Sequence, residues 1–370
     1  MDNRKAKVGI GWMKKWLLLL ATVLLISCSP DQTKIEDIQY LQALGHDLYD
    51  GKLETTGITT VIMPMDEVIP ESESLVTEYE HLENLYSGFQ SESSRIVDTS
   101  RTSLQLFNDE VAQAGVFQIV DNTQRNPMIE QDMHLAVTEG STRDILEFNY
   151  PFHTTPEKYL VDLIERNEEI QLPKSNLHEF LYRYYADGAE PFLPFIEKQD
   201  DRVEVVGLAL FKEDEHKLTL SMDQTKYFRQ LFEKTAGGNL SVQFDNDRKV
   251  TLIDLETKPD WKIEPVGDHD FHVTINVVIY ASLRETTNVD ANEYENVQQI
   301  ERLTEELAET EMNSIVSFLQ DENIDAIGIG EIASYHIRGL DIQQWETDHF
   351  QEADIHVNVD VSLEDTGAVM

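Results

Sequence analysis

A second cysteine is what this chain most plainly lacks. Cys28 is the only one in 370 residues, so no disulfide can close within the chain and no thiolate-built metal centre can form. Basic residues are scarce too, with 29 Lys and Arg against 70 Asp and Glu and a formal net charge of −41. A polyanion of that size is repelled by phosphate backbones and by anionic head groups, which excludes DNA and RNA as partners. The acids are scattered and are densest from Met65 to Tyr86. They read either as a solvated surface suited to a salty or alkaline exterior, where screening softens self-repulsion, or as a cation-binding surface. Long apolar runs are missing as well: the greasy stretch from Trp16 to Ile26 is shorter than the roughly 20 residues that a membrane-spanning helix requires. Neither G-x-S-x-G nor H-E-x-x-H occurs, so the common hydrolase signatures give no support for catalysis.

That short run nevertheless has a recognisable setting. Lys14 and Lys15 precede it and Leu25-Ile26-Ser27-Cys28 closes it, which supplies the basic, apolar and small-residue regions of a secretory signal peptide. The closing residues resemble a bacterial lipobox, in which the thiol receives a diacylglyceryl group, the peptide is cut before it, and the new N-terminus is acylated. Each buried methylene then adds roughly 0.8 kcal/mol to membrane attachment. Cys28 is therefore expected to be the lipid attachment site, with residues 1–27 removed and Met13 as the true start. Removal takes five basic residues and one acidic residue and leaves −45 on the mature part. The other reading of Cys28 is an inert buried thiol beside an ordinary cleavage site.

Length and a 41% hydrophobic content suit two or three domains of about 100 to 150 residues with real cores. Thr55 to Met65 reads as a strand, and Arg101 to Gly115 as a helix carrying Leu104, Phe107 and Val111. Val116 to Val120 and Met133 to Gly140 read as strands. Two helices follow, one capped by Thr155 with Pro156 at its first position, the other capped by Ser175 and stopped by Gly188. Glu190 to Arg202 looks like a linker. Beyond it come a strand from Val203 to Phe211, a helix capped by Asp223, and strand-like segments to Pro265. A long strand from Phe271 to Leu283 precedes a long helix, for which Asp290 and Glu293 form a capping box. Ile324 to Gly330 reads as a short strand and Glu331 to Phe350 as helical. The chain closes on Ala353 to Leu363, where Ile355, Val357, Val359, Val361 and Leu363 alternate with polar residues, the mark of a sheet with one covered face and one wet face.

Candidate chemistry is thin. His269 and His272 stand three apart beside Asp268 and Asp270, but neighbouring side chains at a strand start point to opposite faces and no third ligand suggests itself. No metal ligand and no cofactor are expected. Gly328 to Glu331 can cradle an anion on backbone amides or simply form a tight turn. His46 and Asp47 are adjacent, and adjacent strand residues diverge, so no catalytic residue is expected either.

The order of segments is more telling than any single motif. The lipobox followed by "IEDIQYLQALGHDLYDG", the stretch from Thr102 to Glu147, the stretch from Val205 to Gly238, and "NIDAIGIGEIASYHIRG" with the closing Ala353 to Met370 together resemble the Ger(x)C family, the lipoprotein C subunits of spore nutrient germinant receptors. Ser29 stands where the family often has tryptophan. The resemblance implies an α+β protein of three α/β domains, each a mostly antiparallel or mixed sheet packed by helices. Pattern restarts near Asp200 and Phe271 divide the chain accordingly, into a signal peptide at 1–27, an N-terminal germination-protein domain at 28–199, a middle domain at 200–270 and a C-terminal domain at 271–370. It also implies a non-enzymatic receptor subunit, anchored through acylated Cys28 at the outer face of the spore inner membrane and assembled with integral-membrane A and B subunits. The rival expectation is a solute-binding lipoprotein of a transporter.

Overall fold

Two sheets account for the strands among the described residues, which in this computed structural model are 37–49, 51–61, 71–79, 84–151, 154–243, 248–266, 270–289 and 293–365. Cys28, His269 and Asp290 lie outside them. In the first sheet, β1 (Ile38–Tyr49), β5 (Leu104–Asn108), β6 (His134–Glu139) and β7 (Phe192–Gln199) run parallel at the centre. Antiparallel β2 (Lys52–Val61) and β3 (Glu71–Tyr79) extend one side, and β8 (Arg202–Lys212) and β9 (Glu215–Ser221) the other, while short β4 (Ile96–Asp98) pairs with β1. Helix α1 (Leu85–Glu92) buries Leu85 and Phe89 against Leu41 and Leu44 of β1.

Every residue of β5 is buried, the pattern of a parallel strand covered on both faces. With no polar alternation to mark it, the stretch from Arg101 to Gly115 looks like a single helix in sequence, and the structure corrects this. The strand ends at Asn108, whose side chain accepts from the Val111 amide at 2.8 Å and starts α2 (Asp109–Ala114). Val116 to Val120, expected as a strand, instead opens α3 (Phe117–Gln124), which buries Ile119, Val120 and Thr123. Short apolar runs fit either period, and here the helical one wins.

After α4 (Thr142–Leu146), α5 (Pro156–Ile170) starts as its sequence suggests, with Thr155 accepting from the Lys158 amide and Pro156 at the first turn. The cap of α6 (Leu177–Tyr185) is Asn176, not Ser175, which donates instead to the Phe192 carbonyl. Glu190 to Arg202 is no linker, because it contains β7. Pro194 is tolerated there since pairing with β6 begins only at Phe195, so its missing N–H leaves no gap in that ladder. The capping box of α7 (Met222–Gln230) belongs to Ser221 and Gln224, while Asp223 sits in the first turn beside Lys226.

The second sheet runs β10 (Asn239–Gln243), β11 (Lys249–Val266), β12 (Asp270–Thr287) and β13 (Asp354–Asp365). Residues 200–270 thus contribute to both sheets, β8 and β9 to the first and β10 and β11 to the second. Helix α8 (Tyr294–Asp321) has Glu293 at its N-cap without a side-chain capping bond, and buries Ile300, Thr304, Ala308, Met312, Ile315 and Leu319. Ile355, Val357, Val359 and Val361 of β13 are buried, and the residues alternating with them from Asp354 to Asp360 are exposed. Both sheets belong to a unit that extends from Tyr40 to Met370. No helix among the described residues is long and apolar enough to cross a membrane.

The outer edge of β13 is closed by α8. The amides of Val357, Val359, Val361 and Leu363 donate to the side chains of Asn313, Glu309, Glu305 and Glu301 at 3.0 to 3.1 Å. Four helical residues rise about 6 Å and two strand residues about 6.6 Å, so the acceptors and donors keep step. An edge whose amides are engaged in this way cannot recruit a foreign strand there, and part of the chain's acidity has a structural use.

Candidate functional site

The stretch from Ile324 to Gly330 forms no strand. It folds back so that the buried Asp325 carboxylate accepts from the amides of Gly328, Ile329 and Gly330 at 2.9, 2.9 and 2.7 Å and from Trp345 Nε1 at 3.0 Å. Gly328, at φ 84°, supplies the left-handed turn that precedes α9 (Ile329–His336). Both readings of Gly328 to Glu331 are met at once: the tight turn forms, and the anion on its amides is the chain's own carboxylate. Burial raises the Asp325 pKa, and its hydrogen bonds act in the opposite direction. All four partners are donors, so the loop is built to hold the ionised form.

Around this carboxylate the two sheets are fastened together. The Glu331 amide donates to the Gly188 carbonyl at 3.0 Å, the Glu190 amide to the Asp325 carbonyl at 3.1 Å, and Arg183 Nη1 to the Ala326 carbonyl at 3.0 Å. The Arg183 guanidinium also lies 4.3 Å from the centre of the Phe192 ring. A β-carbon on Gly188 would fall 2.6 Å from the Gly330 backbone, and one on Gly330 would fall 2.4 Å from the Trp345 ring. The seam needs both glycines, because backbone meets backbone there.

At the surface the seam opens into a groove of about 640 Å³ between α6 and α9, lined by Tyr182, Tyr185, Asp187, Glu331 and Tyr335 among others. Glu331 accepts from the hydroxyls of Tyr182 and Tyr335. Tyr185 and Tyr335 are 60% and 76% exposed, unusual for rings of that size. The continuous helix expected from Glu331 to Phe350 ends at His336, turns at Gly339, φ 86°, and resumes as α10 (Ile342–Gln344), a π turn (Trp345–His349) and α11 (Phe350–Glu352).

His46 and Asp47 are both fully buried and point apart, as strand geometry requires. His46 Nδ1 lies 2.8 Å from Thr55 Oγ1 and Nε2 lies 2.7 Å from Gln105 Nε2, with the ring stacked on Phe107. Since the Gln105 amide nitrogen can only donate, His46 carries its proton on Nδ1 and is neutral; burial holds its pKa down to about 3. Asp47 accepts from the amides of Thr142 and Arg143 and the hydroxyls of Ser141 and Thr142 at the start of α4. Each is held by a separate structural network. His272 lies where β12 begins, its Nδ1 2.9 Å from Asp354 Oδ2 of β13.

Comparison with known proteins now bears on this arrangement. Residues 31–198 match the family described as "Spore germination protein N-terminal domain", and residues 206–367 match "Spore germination B3/GerAC like, C-terminal". The chain belongs to the GerAC family of spore germination proteins. It is 23% identical over 362 residues to the spore germination protein GerQC of Bacillus cereus, across 96% of this chain and 99% of that protein. The crystal structure of the GerBC protein shares its fold, with a TM-score of 0.58 at 13% identity over 87% of this chain and 96% of the other. In GerAC-family terms, the boundary between the two matches falls at the β7–β8 hairpin. The seam joins residues 183–190 of the N-terminal match to residues 325–346 of the C-terminal match. Sequence reasoning reached the Gly328 loop but missed its occupant, although an acid three residues before a Gly-x-Gly turn is a readable sign. It had no means of pairing Gly188 with Gly330.

Proposed function

We propose that this GerAC-family chain is the non-enzymatic, lipid-anchored C subunit of a spore nutrient germinant receptor, held at the outer face of the spore inner membrane through acylated Cys28 and assembled with integral-membrane A and B subunits. The observation that carries the reading is the pair of germination-family matches, which together span residues 31–198 and 206–367. The separation of His46 from Asp47 into two saturated networks supports a role without catalysis. A solute-binding lipoprotein would want an open cleft between two lobes, whereas here the connection from α6 to β7 and the start of α9 meet through backbone contact at Gly188 and Gly330.

The tyrosine groove is the assembly face in this reading. Its occupant is a Lys- or Arg-bearing segment of a membrane partner: exposed tyrosine faces attract cations, Asp187 and Glu331 complement their charge, and the whole chain carries −41. Confinement to one membrane raises the local concentration of the partners, so a modest polar interface suffices. The test is germination of spores carrying Cys28→Ala, scored by dipicolinic acid release over a panel of nutrients with the membrane fraction assayed alongside. Loss of the protein from the membrane together with loss of at least one nutrient response, while a receptor-independent trigger still works, is the expected result. Full retention of every response with the protein released would contradict the anchored-subunit reading.

A further inference from the structure

Histidines 272 and 356 are far apart in sequence, yet the parallel register of β12 and β13 sets His272 opposite Asp354 and Thr274 opposite His356. Side chains two apart on a strand share a face, so His272, Asp354 and His356 all emerge on the wet face of the second sheet. His272 Nδ1 lies 2.9 Å from Asp354 Oδ2, and His356 Nε2 lies 2.9 Å from Asp354 Oδ1. The three candidate ligand atoms all lie within 4.8 Å of one another. One carboxylate is thus shared by two imidazoles, each aiming a ring nitrogen at the same small volume.

We propose that His272, Asp354 and His356 form a binding site for a single borderline divalent cation of the zinc class. Two imidazole nitrogens and one carboxylate oxygen are the donor set such ions prefer, whereas calcium and magnesium seek oxygen ligands alone. Three protein ligands leave one tetrahedral position for water or for a group brought by a partner, the arrangement of an open zinc site and not a closed structural one. The ligands stand on a paired ladder and not on a loop, which limits the rearrangement an ion would demand. The far edge of β13 is in turn fixed to α8 through the side chains of Asn313, Glu309, Glu305 and Glu301. The other nitrogen of His272 lies 3.4 Å from Thr274 Oγ1, a hydroxyl placed to hold the ring with Nδ1 facing the cluster. The cation would replace the hydrogens now shared between the imidazoles and Asp354, and it would put positive charge on a strongly acidic surface. The proposal stands independently of the receptor reading.

Zinc titration of the full chain, purified in detergent and followed by competition with a chromophoric chelator, tests it, with His356→Ala, His272→Ala and Asp354→Asn alongside. All three positions are at the surface, so a matching urea midpoint establishes that each variant is folded. Wild type is expected to bind one equivalent of zinc more than about tenfold tighter than any variant, to give the visible absorption of a low-coordinate site with cobalt, and to ignore calcium. Equal zinc binding by wild type and His356→Ala, or no tight equivalent in wild type, would overturn the assignment.

Discussion

Asp325 and Asp354 lie 29 positions apart in one domain and illustrate two fates of a carboxylate. Asp325 is buried and meets four donors, three of them backbone amides that cannot rotate away. Asp354 is exposed and meets two imidazoles that can exchange a proton for a metal. Saturation by fixed donors makes a charge into a structural element, here the pin of the seam between the two sheets. Incomplete saturation by exchangeable partners leaves a charge able to take a ligand. His46 and Asp47 fall on the Asp325 side of this contrast, each held by fixed partners in the fold.

Asparagine substitution at the two positions sharpens the contrast most. Asp325→Asn removes the charge and turns an amide toward amide donors, and the expected cost is about 3 kcal/mol or more in urea unfolding, with faster hydrogen exchange at residues 328–330. Asp354→Asn should change the unfolding free energy by no more than about 0.5 kcal/mol while weakening zinc binding more than about tenfold. Similar destabilisation at both sites would break the comparison.

His46 extends it to a buried base. The unfolded chain protonates this imidazole near 6.5, whereas burial holds it neutral down to about 3 in the fold. Between those values the unfolded state binds more protons, so the contribution is intact above pH 6.5 and declines as pH falls toward 3. Its share of the loss amounts to about 2 kcal/mol by pH 5. Urea midpoints at pH 7.5 and pH 5 for wild type and His46→Gln check this; an equally steep pH dependence in the variant would count against His46 as the source.

Glu305 lies between the extremes, a carboxylate with one fixed donor, the Val361 amide at 3.1 Å. Glu305→Ala should cost about 1 kcal/mol and Glu305→Gln close to nothing, since glutamine keeps the acceptor oxygen. A large cost for Gln would mean that charge, and not hydrogen bonding, holds the edge of β13.

Much of the second sheet was legible from residue order because its strands have one wet face: the alternation from Ile355 to Val361 is visible without any structure. The first sheet was harder to read. β5 is buried on both faces, so Leu104 to Val111 carries no period that separates strand from helix, and Pro194 disguised β7 as a linker. The site was legible only where it is local. The Gly328 turn is a short-range feature, whereas the Gly188–Gly330 contact and the approach of His272 to His356 depend on pairing between segments 82 or more residues apart.

The most direct test of the account is affinity purification of the tagged full chain from spore inner membranes, with wild type compared against Tyr185→Ala/Tyr335→Ala. The account predicts that integral-membrane germinant receptor subunits co-purify with wild type and are depleted with the double variant, while both proteins remain folded and membrane-bound. Recovery of the wild-type chain without any such subunit, from membranes that contain them, would contradict it.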